Sequence, residues 1–240
     1  MINRSAYLDA LGVKQWLLRD TQSSLEEAES QQMPEAIEDR DDGANEIKIS
    51  AQSVHGLDLA ALEKHVAACQ ACSLYSTRKQ TVFGSGHHKA DWLIIGEAPG
   101  ADEDRQGEPF VGRAGQLLTQ MLRAIGLARE EVFITNILKC RPPNNRDPKP
   151  EEASACRHYL NRQIEILQPK IILALGRIAA QSLLQTDTPI GKMRGQLYHL
   201  DEFQIPTVVT YHPAYLLRSP KEKRKVWEDL KFARQQAFNS

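Results

Sequence analysis

Four short apolar runs separated by helix-like stretches set the strongest limit on how this chain can fold. They are Trp92–Ile95, Val132–Thr135, Ile171–Ala174 and Pro206–Thr210, each nearly continuous in apolar or β-branched residues. Strands of that kind are buried on both faces. Helical periodicity occupies about 114–125, 151–167 and 177–184, and a charged amphipathic stretch covers 220–237. Strand and helix in alternation imply right-handed crossovers, hence an α/β fold with a mostly parallel central sheet flanked by helices. Such sheets bind ligands beyond the carboxyl ends of their strands. The polar and glycine-rich signals fall there: Gly96-Glu97-Ala98-Pro99-Gly100 after the first run, Asn136 after the second, His212-Pro213 after the last.

At 240 residues, 41% hydrophobic and 25% charged, the chain can bury a large core without disulfide staples and is not collagen-like or wholly disordered. The longest strongly apolar run, Ile171–Leu175, is far short of the roughly 18 residues of a membrane span. Met1–Ser5 lacks the basic-then-apolar plan of a secretory signal, so a cytoplasmic location with reduced thiols is expected.

Charge divides the chain. Residues 1–50 hold 11 Asp and Glu against 5 Lys and Arg, net −6, and residues 51–240 hold 20 against 25, net +5. Three segments follow from this and from the apolar pattern. Residues 1–19 contain a short amphipathic peptide, with Tyr7, Leu8, Leu11 and Trp16 as its large anchors. Residues 20–53 are rich in Glu, Asp, Gln and Ser and read as a disordered acidic linker. Residues 54–240 form the folded body. A basic body behind an acidic leader suits a polyanionic partner met by the body alone, with a simple solubility margin as the alternative.

The four cysteines, Cys69, Cys72, Cys140 and Cys156, run C-x2-C and then C-x15-C across a gap of 67 residues. A two-residue spacing lets one turn present both thiolates to one centre, and the other two can join from elsewhere. Four thiolates suit tetrahedral zinc or an iron–sulfur cluster. Zinc ligands more often come as two close pairs, so the long gap favours a cluster. A CxxC redox pair with two unrelated buried cysteines is the alternative.

Taken with Cys69-Gln70-Ala71-Cys72 and Gly96–Gly100, the segments Glu108–Gly115 (EPFVGRAG), Thr135–Pro143 (TNILKCRPP) and His212–Arg218 (HPAYLLR) closely resemble the family 4 uracil-DNA glycosylases. The resemblance runs from about residue 60 to the C-terminus. It implies the three-layer uracil-DNA glycosylase-like fold, excision of uracil from DNA by a cytosolic, nucleoid-associated monomer, and a 4Fe-4S cluster on the four cysteines. It implies catalytic roles for Glu97 and His212, and a substrate pocket of Gly96, Ala98, Gly100, Glu103, Phe110 and Asn136. In that pocket Phe110 stacks on the extruded base, Asn136 reads its edge and His212 faces O2. Each role has a physical warrant. One carboxamide matches both O4 and N3–H of uracil, whereas cytosine presents the reverse polarity. A donor at O2 stabilises the base as it departs with negative charge. Glu97 positions water or offsets the cationic sugar.

The base must leave the stack to be reached. Tyr215, Leu216, Leu217 and Arg218 offer apolar wedges and a cation, with an ordinary helix carrying core leucines as the alternative. Lys139, Arg141, Arg146 and Lys149 look like phosphate contacts, with a solvated basic loop as the alternative. Two departures stand out: Glu108 occupies a position that is often basic in the family, and Ala98 stands where the best-known uracil-excising enzymes carry a water-activating Asp. Leu11–Arg19 is similar to the N-terminal peptide of the bacterial clamp-loader psi subunit, which makes the clamp loader a candidate partner and docking back onto the body the alternative. The competing functional readings are a cluster- or zinc-containing DNA-binding module without glycosylase activity, and a redox protein.

Overall fold

The computed structural model describes residues 54–239. The expected peptide at 1–19 and linker at 20–53 lie outside the described residues. In chain order the elements are α1 (Leu59–Ala67), β1 (Ser85–Gly86), β2 (Trp92–Gly96), α2 (Ala101–Gln106), α3 (Arg113–Ala124) and β3 (Phe133–Asn136). They continue with α4 (Pro150–Leu167), β4 (Ile171–Leu175), α5 (Arg177–Leu184), α6 (Ile190–Met193), β5 (Leu197–Leu200), β6 (Ile205–Thr210), α7 (Pro213–Arg218) and α8 (Lys223–Asn239).

The sheet order is β1-β3-β2-β4-β6-β5. The four runs anticipated from sequence form its parallel centre, β3-β2-β4-β6. The two edges, β1 on β3 and β5 on β6, are antiparallel. Both were absent from the sequence reading for a physical reason: β1 is two residues long, and β5 is half exposed, so neither carries a continuous apolar run.

Every residue of β2, β3 and β4 is buried, as strands covered on both faces must be. Side-chain alternation sorts them into two cores. Leu93, Ile95, Phe133, Ile172, Ala174 and Val209 face α1, α4 and α5. Trp92, Ile94, Ile134, Leu173, Leu175 and Val208 face α3, α7 and α8. The result is the three-layer arrangement. The chain steps from β2 to β3 on one side and then back across β2 to β4, which opens a crevice at the carboxyl ends of these strands. Among the described residues no helix is long and apolar enough to cross a membrane.

Candidate active site

The crevice gathers residues from three strand ends. Gly96 and Asn136 are paired across β2 and β3, so the first motif and the Asn arrive side by side. Asn136 is 2% exposed, and its carboxamide has no hydrogen-bond partner among the described residues. A Cβ on Gly96 would collide with Asn136 Oδ1 and come within 2.6 Å of Phe110 Cζ, so only glycine lets the three meet. Phe110 is buried with a positive φ of 53°, and its ring stacks on His212 at 5.4 Å between centroids and 30° between planes. A Cβ on Gly115 would run into the Phe110 carbonyl, which explains that glycine in the EPFVGRAG stretch.

Glu103 holds this loop. Its Oε1 accepts the amides of Val111 and Gly112, both at 3.0 Å, and its Oε2 accepts the Gly100 amide at 3.1 Å. It sits at the third position of α2, where a glutamate can reach back to the helix start. Both oxygens are spent on backbone, so Glu103 bears on any pocket occupant through the placement of Phe110 rather than as a free acceptor.

His212 is the N-cap of α7, and its Nδ1 accepts the Ala214 amide at 3.1 Å. That bond leaves the hydrogen of a neutral ring on Nε2. Burial, and second the charge of Arg218, push its pKa down to about 4, so the ring is neutral near pH 7. Glu97 behaves in the opposite sense. Burial, then the neighbouring Asp147 carboxylate, raise it to about 7, against the opposing charge of Arg177. Arg177 pairs with Asp147 at 2.8 Å. Sequence reasoning missed both residues, although Arg177 lies two residues beyond the end of β4, as His212 lies two residues beyond the end of β6.

The four cysteines come together. Cys69 and Cys72 are half-buried, Cys140 and Cys156 are buried, and all four line one apolar cavity with Arg78, Lys139 and Tyr159. Among the described residues no three His, Cys, Asp or Glu side chains converge as ligands of a single ion. The donors around the sulfurs are those an anionic centre needs. Arg78 Nη1 donates to Cys140 Sγ at 3.1 Å, the Lys139 amide to Cys156 Sγ at 3.4 Å and the Ala71 amide to Cys69 Sγ at 3.5 Å. Burial pushes the Cys156 thiol up to about 12 and those of Cys72 and Cys140 upward as well, so their thiolate forms depend on metal ligation or a nearby cation.

Three sequence expectations for the DNA-facing surface need correction. Leu216 is 1% exposed and packs in the core with α3 and α8, so it is not a wedge; Tyr215 and Leu217, on the outer side of α7, are exposed. Lys139 is 1% exposed and its ammonium is consumed inside the fold, so it cannot reach a phosphate. Arg146, with a third of its side chain exposed, is committed to an ion pair, its two terminal nitrogens 2.8 and 2.6 Å from the carboxylate of buried Glu152. Arg218 and Lys149 are exposed, and Arg141 is half-buried with its Nε on Asn145 Oδ1 at 2.8 Å.

Residues 83–231 match the family model described as the uracil DNA glycosylase superfamily. The type-4 uracil-DNA glycosylase of Archaeoglobus fulgidus is 45% identical over 174 residues, covering 70% of this chain and 87% of that protein. That of Saccharolobus solfataricus is 48% identical over 182 residues, covering 73% and 83% respectively. That of Thermotoga maritima is 45% identical over 177 residues, covering 72% and 91%. With a superfamily match over more than half its length and these relatives over more than two thirds, the chain belongs to the type-4 uracil-DNA glycosylases.

Proposed function

We propose that this protein removes uracil from DNA in base excision repair, hydrolysing the N-glycosidic bond and leaving an abasic site. The observation that carries the reading is the convergence of an unpartnered buried carboxamide, a buried aromatic ring and a neutral imidazole at one crevice, in a chain 45–48% identical to type-4 uracil-DNA glycosylases.

In this reading the extruded base lies against Phe110. Asn136 gives its NH2 to O4 and accepts N3–H, a pairing that cytosine cannot match without leaving buried groups unsatisfied. As the bond between N1 and the sugar breaks, electrons move onto the base and charge builds at O2. The Nε2–H of His212, fixed by the Ala214 amide on the other nitrogen, donates there. A neutral donor suits this task, because it stabilises the anion without having to give up its proton. Glu97 in its ionised form faces the positive charge of the sugar and orients the water that completes hydrolysis. With Ala98 in place of an Asp, Glu97 is the carboxylate available in this motif.

Cys69, Cys72, Cys140 and Cys156 hold a 4Fe-4S cluster in this reading. Such a cluster would tie the segment after α1, the segment after β3 and α4 to one another through these thiolates. Arg141, Lys149, Arg218, Tyr215 and Leu217 form the DNA-facing rim. The leader, with Tyr7, Leu8, Leu11 and Trp16, serves as a recruiting peptide for the clamp loader. The test is excision from uracil-containing single- and double-stranded oligonucleotides by protein prepared without air. Alkali-labile abasic sites at the uracil position support the reading, and intact strands with iron-loaded protein overturn it.

A further inference from the structure

All three donors of one buried ammonium can be accounted for, and none of its partners is a carboxylate. Lys139 is 1% exposed, and its Nζ donates to Thr135 Oγ1, the Asn136 carbonyl and Gln163 Oε1, each at 2.7 Å. Thr135 and Gln163 are themselves fully buried, and both pass a hydrogen bond on to the Phe83 carbonyl, at 2.8 and 3.0 Å. The network is closed and its acceptors are neutral. A buried cation in such a setting needs a countercharge. Lys139 lines the same cavity as all four cysteines.

The third acceptor gives the network a consequence. Asn136 ends β3, and alternation places its side chain on the face opposite Thr135, toward Phe110 and Gly96. The lysine therefore grips the peptide of the residue whose side chain meets the base, from the side of the sheet that carries the cysteines. A methionine would fill the same volume without the cost of burying charge. A lysine is warranted only where something negative lies beside it and something beyond it must be held.

We propose that Lys139 is a positioning residue for base recognition: held by Thr135 and Gln163, its ammonium fixes the Asn136 carbonyl and with it the carboxamide that reads uracil. The proposal rests on the reading of Asn136 and of the cysteines given above.

The test is a double-mutant cycle on the holoprotein with Lys139→Met, Asn136→Ala and the double variant. Binding of free uracil, binding of abasic-site DNA, iron content and the reduction potential of the centre are measured. Lys139→Met with full iron content is expected to weaken uracil binding by about tenfold or more while abasic-site DNA binding stays within about twofold, and in the Asn136→Ala background it adds less than about twofold. The potential moves in the negative direction, because a lost buried cation disfavours the more negative reduced state. Unchanged uracil binding in Lys139→Met, or a loss that persists in full in the Asn136→Ala background, overturns the proposal. If Lys139→Met loses iron, Gln163→Met takes its place. It leaves the lysine and removes one acceptor, so a smaller weakening that vanishes in the Asn136→Ala background is expected, and unchanged binding overturns the proposal. Failure of the parent protein itself to bind or excise uracil would instead overturn the functional reading.

Discussion

Replacing Glu103 by Gln keeps the side chain's size and removes what it does. The carboxylate takes three backbone amides, those of Gly100, Val111 and Gly112, at 3.0–3.1 Å. A glutamine oxygen can still serve the Val111 and Gly112 amides, but as neutral bonds, each weaker by about 1 kcal/mol than its charged counterpart. Its NH2 then faces the Gly100 amide, donor against donor, and that bond is lost, for about another 1 kcal/mol. The sum is about 3 kcal/mol, which at roughly 2–4 °C per kcal/mol for a domain of this size lowers the melting temperature by about 6–12 °C. The same loop carries Phe110 at a φ of 53°, a strained backbone that persists only while its surroundings hold it. Single-turnover excision at 25 °C, well below melting, should therefore fall by about tenfold as the ring loses its fixed place. Thermal melting and single-turnover kinetics read the two effects separately. Melting within about 2 °C of the parent and a rate within about twofold would show that Glu103 is not the clamp on this loop.

His212→Ala should slow single-turnover excision by about 10- to 1000-fold with DNA affinity less affected, and equal rates would remove His212 from the chemistry. Because Glu97 is raised to about 7, excision should climb as pH rises through that value and Glu97→Gln should flatten the profile; stability runs the other way, since a carboxyl raised above its unfolded value contributes stability below about 4.5 that is lost as pH passes 7. Protein purified without air should be brown, with about four iron and four sulfide per chain, and Cys156→Ser should lose both; one zinc in a colourless protein would refute the cluster. Arg218→Ala should reduce the salt dependence of DNA binding by about one unit of slope, whereas Arg146→Ala should leave the slope alone and lower the melting temperature, because it strands buried Glu152.

The parallel centre of the sheet was legible because strands covered on both faces must be apolar throughout, and Trp92–Ile95 and Ile171–Ala174 have no polar residue to disguise them. Tyr198 and His199 in β5 carry no such signature, since an edge strand half open to water tolerates polar side chains. Gly96–Gly100, Asn136 and His212-Pro213 stood out by their place after strand ends and the four cysteines by spacing, whereas the roles expected of Glu97, Asn136 and His212 came from the family resemblance. What remained hidden was the direction in which long polar side chains turn. Lys139 and Arg146 lie in one basic loop sequence, yet one enters the core and the other folds onto Glu152. Composition sees two cations near a strand end. Only the packing around them shows that Gln163 and Glu152 arrive on α4 to meet them.

The two faces of the sheet divide the work, and β3 is where they meet. The face with α1 and α4 carries the cysteines in a largely apolar core, and the opposite face carries Phe110 against α3. Within six residues the chain contributes to both: Thr135 to the buried network, Asn136 to the crevice, Lys139 and Cys140 back to the thiol cavity. A strand alternates its side chains with period two, so Asn136 in the crevice and its neighbour Thr135 in the network necessarily point in opposite directions. Their peptide is shared. The Lys139 side chain, coming from the cysteine side, meets the crevice strand at one backbone carbonyl, that of Asn136.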